Sequence, residues 1–146
     1  FGIKAPGAEL LTMPWGGLIA SLVVGKEYSF TPRNALHEKF WTTRYPTSAL
    51  LPMAAVSQLA YEAPVAKATI PALFMFSDAD RIVRTDRIRE IAGRWGGPHE
   101  LVPVDPTGDP DNHILAGDAL SPAATDVLAQ RIAVWVKALT NPQAPR

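Results

Sequence analysis

Apolar and polar positions follow one another regularly over residues 67–146, whereas residues 1–66 carry apolar clusters without strand-like alternation. Ile70 to Phe76 is a short unbroken apolar run that ends at Ser77-Asp78-Ala79-Asp80. An unbroken run of this length predicts a strand buried on both faces, as in a parallel sheet. Between Thr85 and Trp95 the period lengthens: Ile88, Ile91, Ala92 and Trp95 share one helical face, and Arg87, Arg89, Glu90 and Arg94 fall away from it. Thr85 or Asp86 is expected to cap this helix, and Gly96-Gly97-Pro98 to end it. A second strand is predicted from His99 to Val104, then a loop dense in Asp, Pro and Gly from Asp105 to Asp118. Ser121-Pro122 is a good N-cap followed by proline at the first helical position, so a last helix is expected to about Leu139. Its stripe is Ala124, Leu128, Ile132, Trp135 and Leu139.

Strand, helix, strand, long loop, helix implies a parallel pair joined by a crossover. Two strands alone leave their hydrogen-bonding edges unpaired, and residues 1–66 offer no evident neighbours. Most strands of this sheet are therefore expected outside the chain. In the first 66 residues, short helices are predicted around residues 10–24, broken near Pro14 and Gly25, then over Asn34–Trp41 and about Thr47–Ala60. They would pack on something else. Trp15, Phe40, Trp41 and Tyr45 are either the core of that helical unit or the lining of an apolar pocket.

Charge narrows the partners. Fourteen basic and fourteen acidic residues cancel, so neither nucleic acid nor an anionic membrane surface is an expected partner. Gly17 to Val24 is too short to span a bilayer, so no transmembrane segment is predicted. The chain has no cysteine, which removes disulfides, thiolate zinc sites and a cysteine nucleophile. It does not choose a compartment, and a cytoplasmic location is only the default expectation.

In an open parallel sheet, active groups collect in loops at the carboxyl ends of strands. Asp80 follows the first predicted strand and His113 lies in the loop after the second. Parallel neighbours run roughly 4.8 Å apart, so these loops can bring the two side chains into contact. An aspartate that accepts the Nδ1 hydrogen of a histidine fixes its tautomer and leaves Nε2 free to take a proton. Taken singly, Asp is ordinary in such turns and a loop histidine is usually exposed; strand-end position and order distinguish this pair. Asp78 is the rival acid, and His37 and His99 are expected to be structural or surface residues. The group Asp105, Asp109, Asp111, His113 and Asp118 lacks both the order of a calcium loop and a second histidine at zinc spacing, so no metal is assigned.

Phe76 to Val83, with small residues before Asp80, resembles the turn after the penultimate strand of α/β-hydrolases. Asn112 to Asp118 is similar to the segment that holds their histidine, and acid before histidine agrees with the family order Ser…Asp…His. The resemblance is closest to the monoglyceride-lipase-like and lysophospholipase-like serine hydrolases. It implies an α/β fold: a helical cap over residues 1–66, then the last strand–helix–strand–helix of a parallel sheet over residues 67–146. It further implies Asp80 as triad acid, His113 as base, no cofactor, and an ester or lipid substrate. Ser21, Ser29, Ser48, Ser57, Ser77 and Ser121 all lie outside a G-x-S-x-G motif. With Phe1 at the start instead of methionine, the expectation is a C-terminal part, inactive alone, whose partner is the N-terminal half of the same protein. A non-catalytic α/β binding module is the alternative; dehalogenases and peptidases of the same fold are a weaker third.

Overall fold

The computed structural model describes residues 2–4, 13, 15–16, 22–23 and 25–140. Their elements are β1 (Glu27–Ser29), α1 (Ala35–Phe40), β2 (Arg44–Pro46), α2 (Leu50–Glu62), β3 (Ala72–Phe76), α3 (Thr85–Arg94), β4 (His99–Pro103) and α4 (Pro122–Thr140). One-turn 3₁₀ segments at Thr47–Ala49 and Val65–Lys67 flank α2. The architecture is mixed α/β with two small sheets, β1–β2 antiparallel and β3–β4 parallel.

β3 and β4 pair from Ala72↔His99 to Phe76↔Pro103, and Val104 N–H extends the ladder to Phe76 O at 2.7 Å. The sheet thus delivers two loops side by side at its carboxyl end. The double burial expected of the 70–76 run is reached only at Phe76; Ala72 to Met75 are half-buried. The reason is geometric: among the described residues this sheet has two strands, so each keeps one edge and part of a face open.

Helix α3 follows the predicted face, with Ala92 buried and Ile88, Ile91 and Trp95 half-buried. Its capping differs from expectation. Arg84 occupies the N-cap without a side-chain cap bond, and Asp86 Oδ2 instead accepts from Arg84 Nη2 at 2.5 Å. In α4 none of the stripe is buried. The hydroxyl of Ser121, expected to cap this helix, bonds within the preceding loop.

The larger correction is in residues 25–46. Helices are found at α1 and α2, but β1 and β2 form a hairpin that the apolar pattern did not predict. Strands of three residues are too short to display alternation. Tyr28 and Tyr45 face each other in register with ring centroids 5.3 Å apart, and such aromatic pairs favour pairing. Asn34 caps α1 by accepting His37 N–H at 2.9 Å. The helix predicted around residues 10–24 falls mostly outside the described residues. No described helix is long and apolar enough to cross a membrane.

Candidate active site

The turn after β3 is built around buried polar atoms. Asp80 N–H closes on Ser77 O at 3.1 Å. Ser77, fully buried, accepts Ala79 N–H at 3.1 Å and donates its hydroxyl to Asp105 in the loop after β4. Arg81 N–H adds a second tie between the loops, to Asp111 O at 2.9 Å. From the amino side, Lys4 N–H reaches Ile82 O at 2.8 Å, and the Lys4 ammonium donates to Asp80 O.

Asp80 is 4 % exposed. Its Oδ1 accepts the N–H groups of Ile82 at 2.7 Å and Val83 at 2.8 Å. Its Oδ2 lies 2.9 Å from Nδ1 of His113. Two backbone donors on the other oxygen hold the carboxylate in one orientation, and an ionised carboxylate only accepts. The ring hydrogen of neutral His113 therefore sits on Nδ1. Nε2 keeps its lone pair, and no described residue bonds to it.

The His113 loop is organised by a second buried aspartate. Asp109 accepts N–H bonds from Asp111 at 3.2 Å, His113 at 3.0 Å and Ile114 at 3.0 Å. Burial pushes the Asp109 carboxyl up, but the bonds from Ile114, Asp111 and His113, with the charge on His113, together hold it below the ordinary carboxylate value. Ser121 locks the base of this loop: its Oγ accepts Asp109 N–H at 3.0 Å and donates to Ile114 O. Asn112, just before His113, adopts a left-handed conformation (φ 52°) that asparagine tolerates.

Both sequence-predicted residues meet at the carboxyl end of the parallel pair. The rival acid does not join them: Asp78 points to Arg89, with Nη2 at 2.7 Å from Oδ1. His99 bonds back to Gly97 O. His37, expected to be merely structural or superficial, is buried and lines a cleft of about 340 Å³ together with His113. Trp41 and Tyr45 line it as well, joined by Tyr28 and Phe30; Phe40 does not, being 66 % exposed. Asp109, in sequence one of the group weighed for a metal, and Ser121, read there as a helix cap, instead hold the His113 loop from within. Among the described residues no group of His, Asp and Glu is arranged to hold a metal ion. A larger cleft, about 470 Å³, lies at the opposite end of the strands, where Glu100 and Arg131 pair with each other.

No family model, curated protein or solved structure matches the chain.

Proposed function

We propose that this chain supplies the acid and base of a serine hydrolase of α/β-hydrolase type that cleaves carboxylic esters. The observation that carries the reading is the 2.9 Å bond between Asp80 Oδ2 and His113 Nδ1, set in loops at the carboxyl ends of parallel β3 and β4. The nucleophile comes from outside these residues, on strands that complete the open β3–β4 sheet. Its Oγ attacks the ester carbonyl while His113 Nε2 takes the Oγ proton; the tetrahedral adduct collapses as His113 returns that proton to the departing alcohol. Water then repeats the cycle on the acyl-enzyme, releasing the acid. Asp80 stays ionised, keeps the imidazole in the productive tautomer and stabilises its cationic form. On this reading the chain, whose serines all lie outside a G-x-S-x-G motif, is inactive until a nucleophile and its oxyanion donors are supplied.

The test is ester hydrolysis by the protein joined to its nucleophile-bearing N-terminal half. Asp80→Asn and His113→Ala each lower kcat by about 10⁴-fold, the scale of triad losses, while Asp78→Asn stays near wild type. Wild-type rates in both triad variants would remove the assignment. The alternative, a non-catalytic α/β binding module, is favoured by one observation: no described serine bonds the His113 ring. It gains ground if the upstream sequence lacks a serine at a strand-to-helix turn.

A further inference from the structure

Every polar atom of Asp80 is bound. Its N–H donates to Ser77 O at 3.1 Å, Oδ1 accepts from Ile82 and Val83 N–H, and Oδ2 meets His113 Nδ1. Those bonds belong to the turn itself or to the acid–base pair. The carbonyl oxygen differs: it accepts from the ammonium of Lys4, 76 residues earlier in the chain.

A short backbone pairing brings Lys4 there. Ile3 and Val83 form an antiparallel bridge. It is flanked by Lys4 N–H to Ile82 O and Arg84 N–H to Gly2 O, both at 2.8 Å. Lys4 therefore lies opposite Ile82, just past Asp80, and its long flexible stem spans the offset back to the carbonyl. The same pairing holds the main chain of Ile82 and Val83, whose N–H groups fix Oδ1.

Asp80 is 4 % exposed, so a carbonyl there without a donor would be costly. A charged donor makes the stronger kind of bond. The carbonyl belongs to the peptide that joins Asp80 to Arg81, between the Cα bearing the carboxylate and the two N–H groups that orient it. Once released, this peptide can turn, and the carboxylate with it.

We infer that Lys4 is a positioning residue of the acid–base pair. By holding Asp80 O, its ammonium fixes the direction in which the carboxylate meets His113. It acts through Asp80 and not on the reacting atoms. Its effect on turnover rests on the hydrolase reading; its effect on the Asp80–His113 bond does not. Asp80 supports the imidazole most when charge develops on it, so loss of alignment lowers kcat and leaves KM unchanged.

The experiment uses the protein joined to its nucleophile-bearing N-terminal half. Lys4→Met keeps the stem and removes the donor, whereas Lys4→Arg keeps a cationic donor. In Lys4→Met, kcat for p-nitrophenyl acetate falls about tenfold, the scale of one such bond, at unchanged KM. The proton resonance of His113 Nδ1 shifts upfield as its bond to Asp80 weakens. Lys4→Arg restores most of both. Unchanged kcat and resonance in Lys4→Met overturn the inference, and so does an equal loss in both variants, which would assign the effect to packing of the stem. Should Lys4→Met fail to fold, wild type decides alone: a coupling across the hydrogen bond between Lys4 Nζ and the Asp80 carbonyl carbon is expected, and its absence overturns the inference. The two readings fail separately. A shifted resonance in Lys4→Met, with no ester turned over by wild type, defeats the hydrolase reading and leaves Lys4 in its role. Turnover by wild type with both signals unmoved in Lys4→Met defeats the Lys4 assignment alone.

Discussion

The backbone N–H of His113 lies 3.0 Å from Oδ2 of Asp109, while the His113 ring is held at 2.9 Å by Oδ2 of Asp80. Two carboxylates thus divide the placement of one histidine: Asp109 fixes where its main chain sits, and Asp80 fixes which way its ring faces. The division follows from chain order. Asp109 belongs to the same loop as His113 and can close a local turn, whereas Asp80 reaches it only because β3 and β4 are neighbours.

Asp109→Asn should therefore loosen the loop without touching the reacting atoms. An amide oxygen cannot replace a carboxylate bound by three N–H groups, and each buried N–H left unmade costs about 1–3 kcal/mol. Denaturant unfolding should show a loss in that range. Hydrogen exchange should quicken first at the His113 and Ile114 amides. Unchanged exchange at those two amides would show that Asp109 does not hold the loop.

The same carboxylate predicts an acid limit. The pKa of Asp109 is lower in the folded protein than its ordinary value, since the N–H bonds outweigh the burial that pushes it up. A depressed folded value means that the unfolded chain binds the proton more readily. The contribution is complete above the unfolded value of about 3.9, and is lost as pH falls from there through the depressed folded value. Stability should drop across that acidic interval, and Asp109→Asn should flatten the drop. An identical acid profile in the variant would assign the loss to other carboxylates.

What was legible in the sequence was what periodicity and strand-end position encode. The runs at residues 70–76, 85–95 and 99–104 differ from β3, α3 and β4 only at their ends, because each is long enough to show its period. Asp80 and His113 were legible as a pair because parallel strands bring their outgoing loops together. The hairpin was not, since Glu27–Ser29 and Arg44–Pro46 are too short to carry a pattern. His37 was not either: its buried place depends on Phe30 and Trp41 closing around it, a relation that only the fold creates. Ser121 shows the same limit, for its hydroxyl serves Asp109 and Ile114 rather than the helix it precedes.

Two glycines give a paired test of packing. A Cβ on Gly93, in the last turn of α3, meets nothing within 4 Å, so Gly93→Ala should add up to about 1 kcal/mol through helix propensity. A Cβ on Gly108 would lie 2.7 Å from Leu120 O and 2.9 Å from Ser121 Cα. Both are backbone atoms next to the hydroxyl that locks the His113 loop. Gly108→Ala should cost about 1–3 kcal/mol, the range of overpacked sites, and should also lower ester turnover. Thermal unfolding of both variants checks the signs; a neutral Gly108→Ala would mean that the loop can shift without consequence.

The last prediction concerns the open surfaces. Helix α4 buries none of its residues, and Val127 and Val134 stand 66 % and 61 % exposed. Beside it, β3 and β4 each keep an unpaired edge among the described residues. Exposed strand edges and contiguous apolar surface promote association, because both satisfy themselves on another copy. If the sheet is completed by strands beyond these 146 residues, the isolated chain should elute as concentration-dependent oligomers in size exclusion with light scattering. It should also bind a hydrophobic dye and unfold without a sharp transition. Addition of the missing strands should make it monomeric and cooperative. A monomer that unfolds in one sharp transition without them would mean that the open faces are tolerated as they stand, and the proposal of an external nucleophile would lose its structural motive.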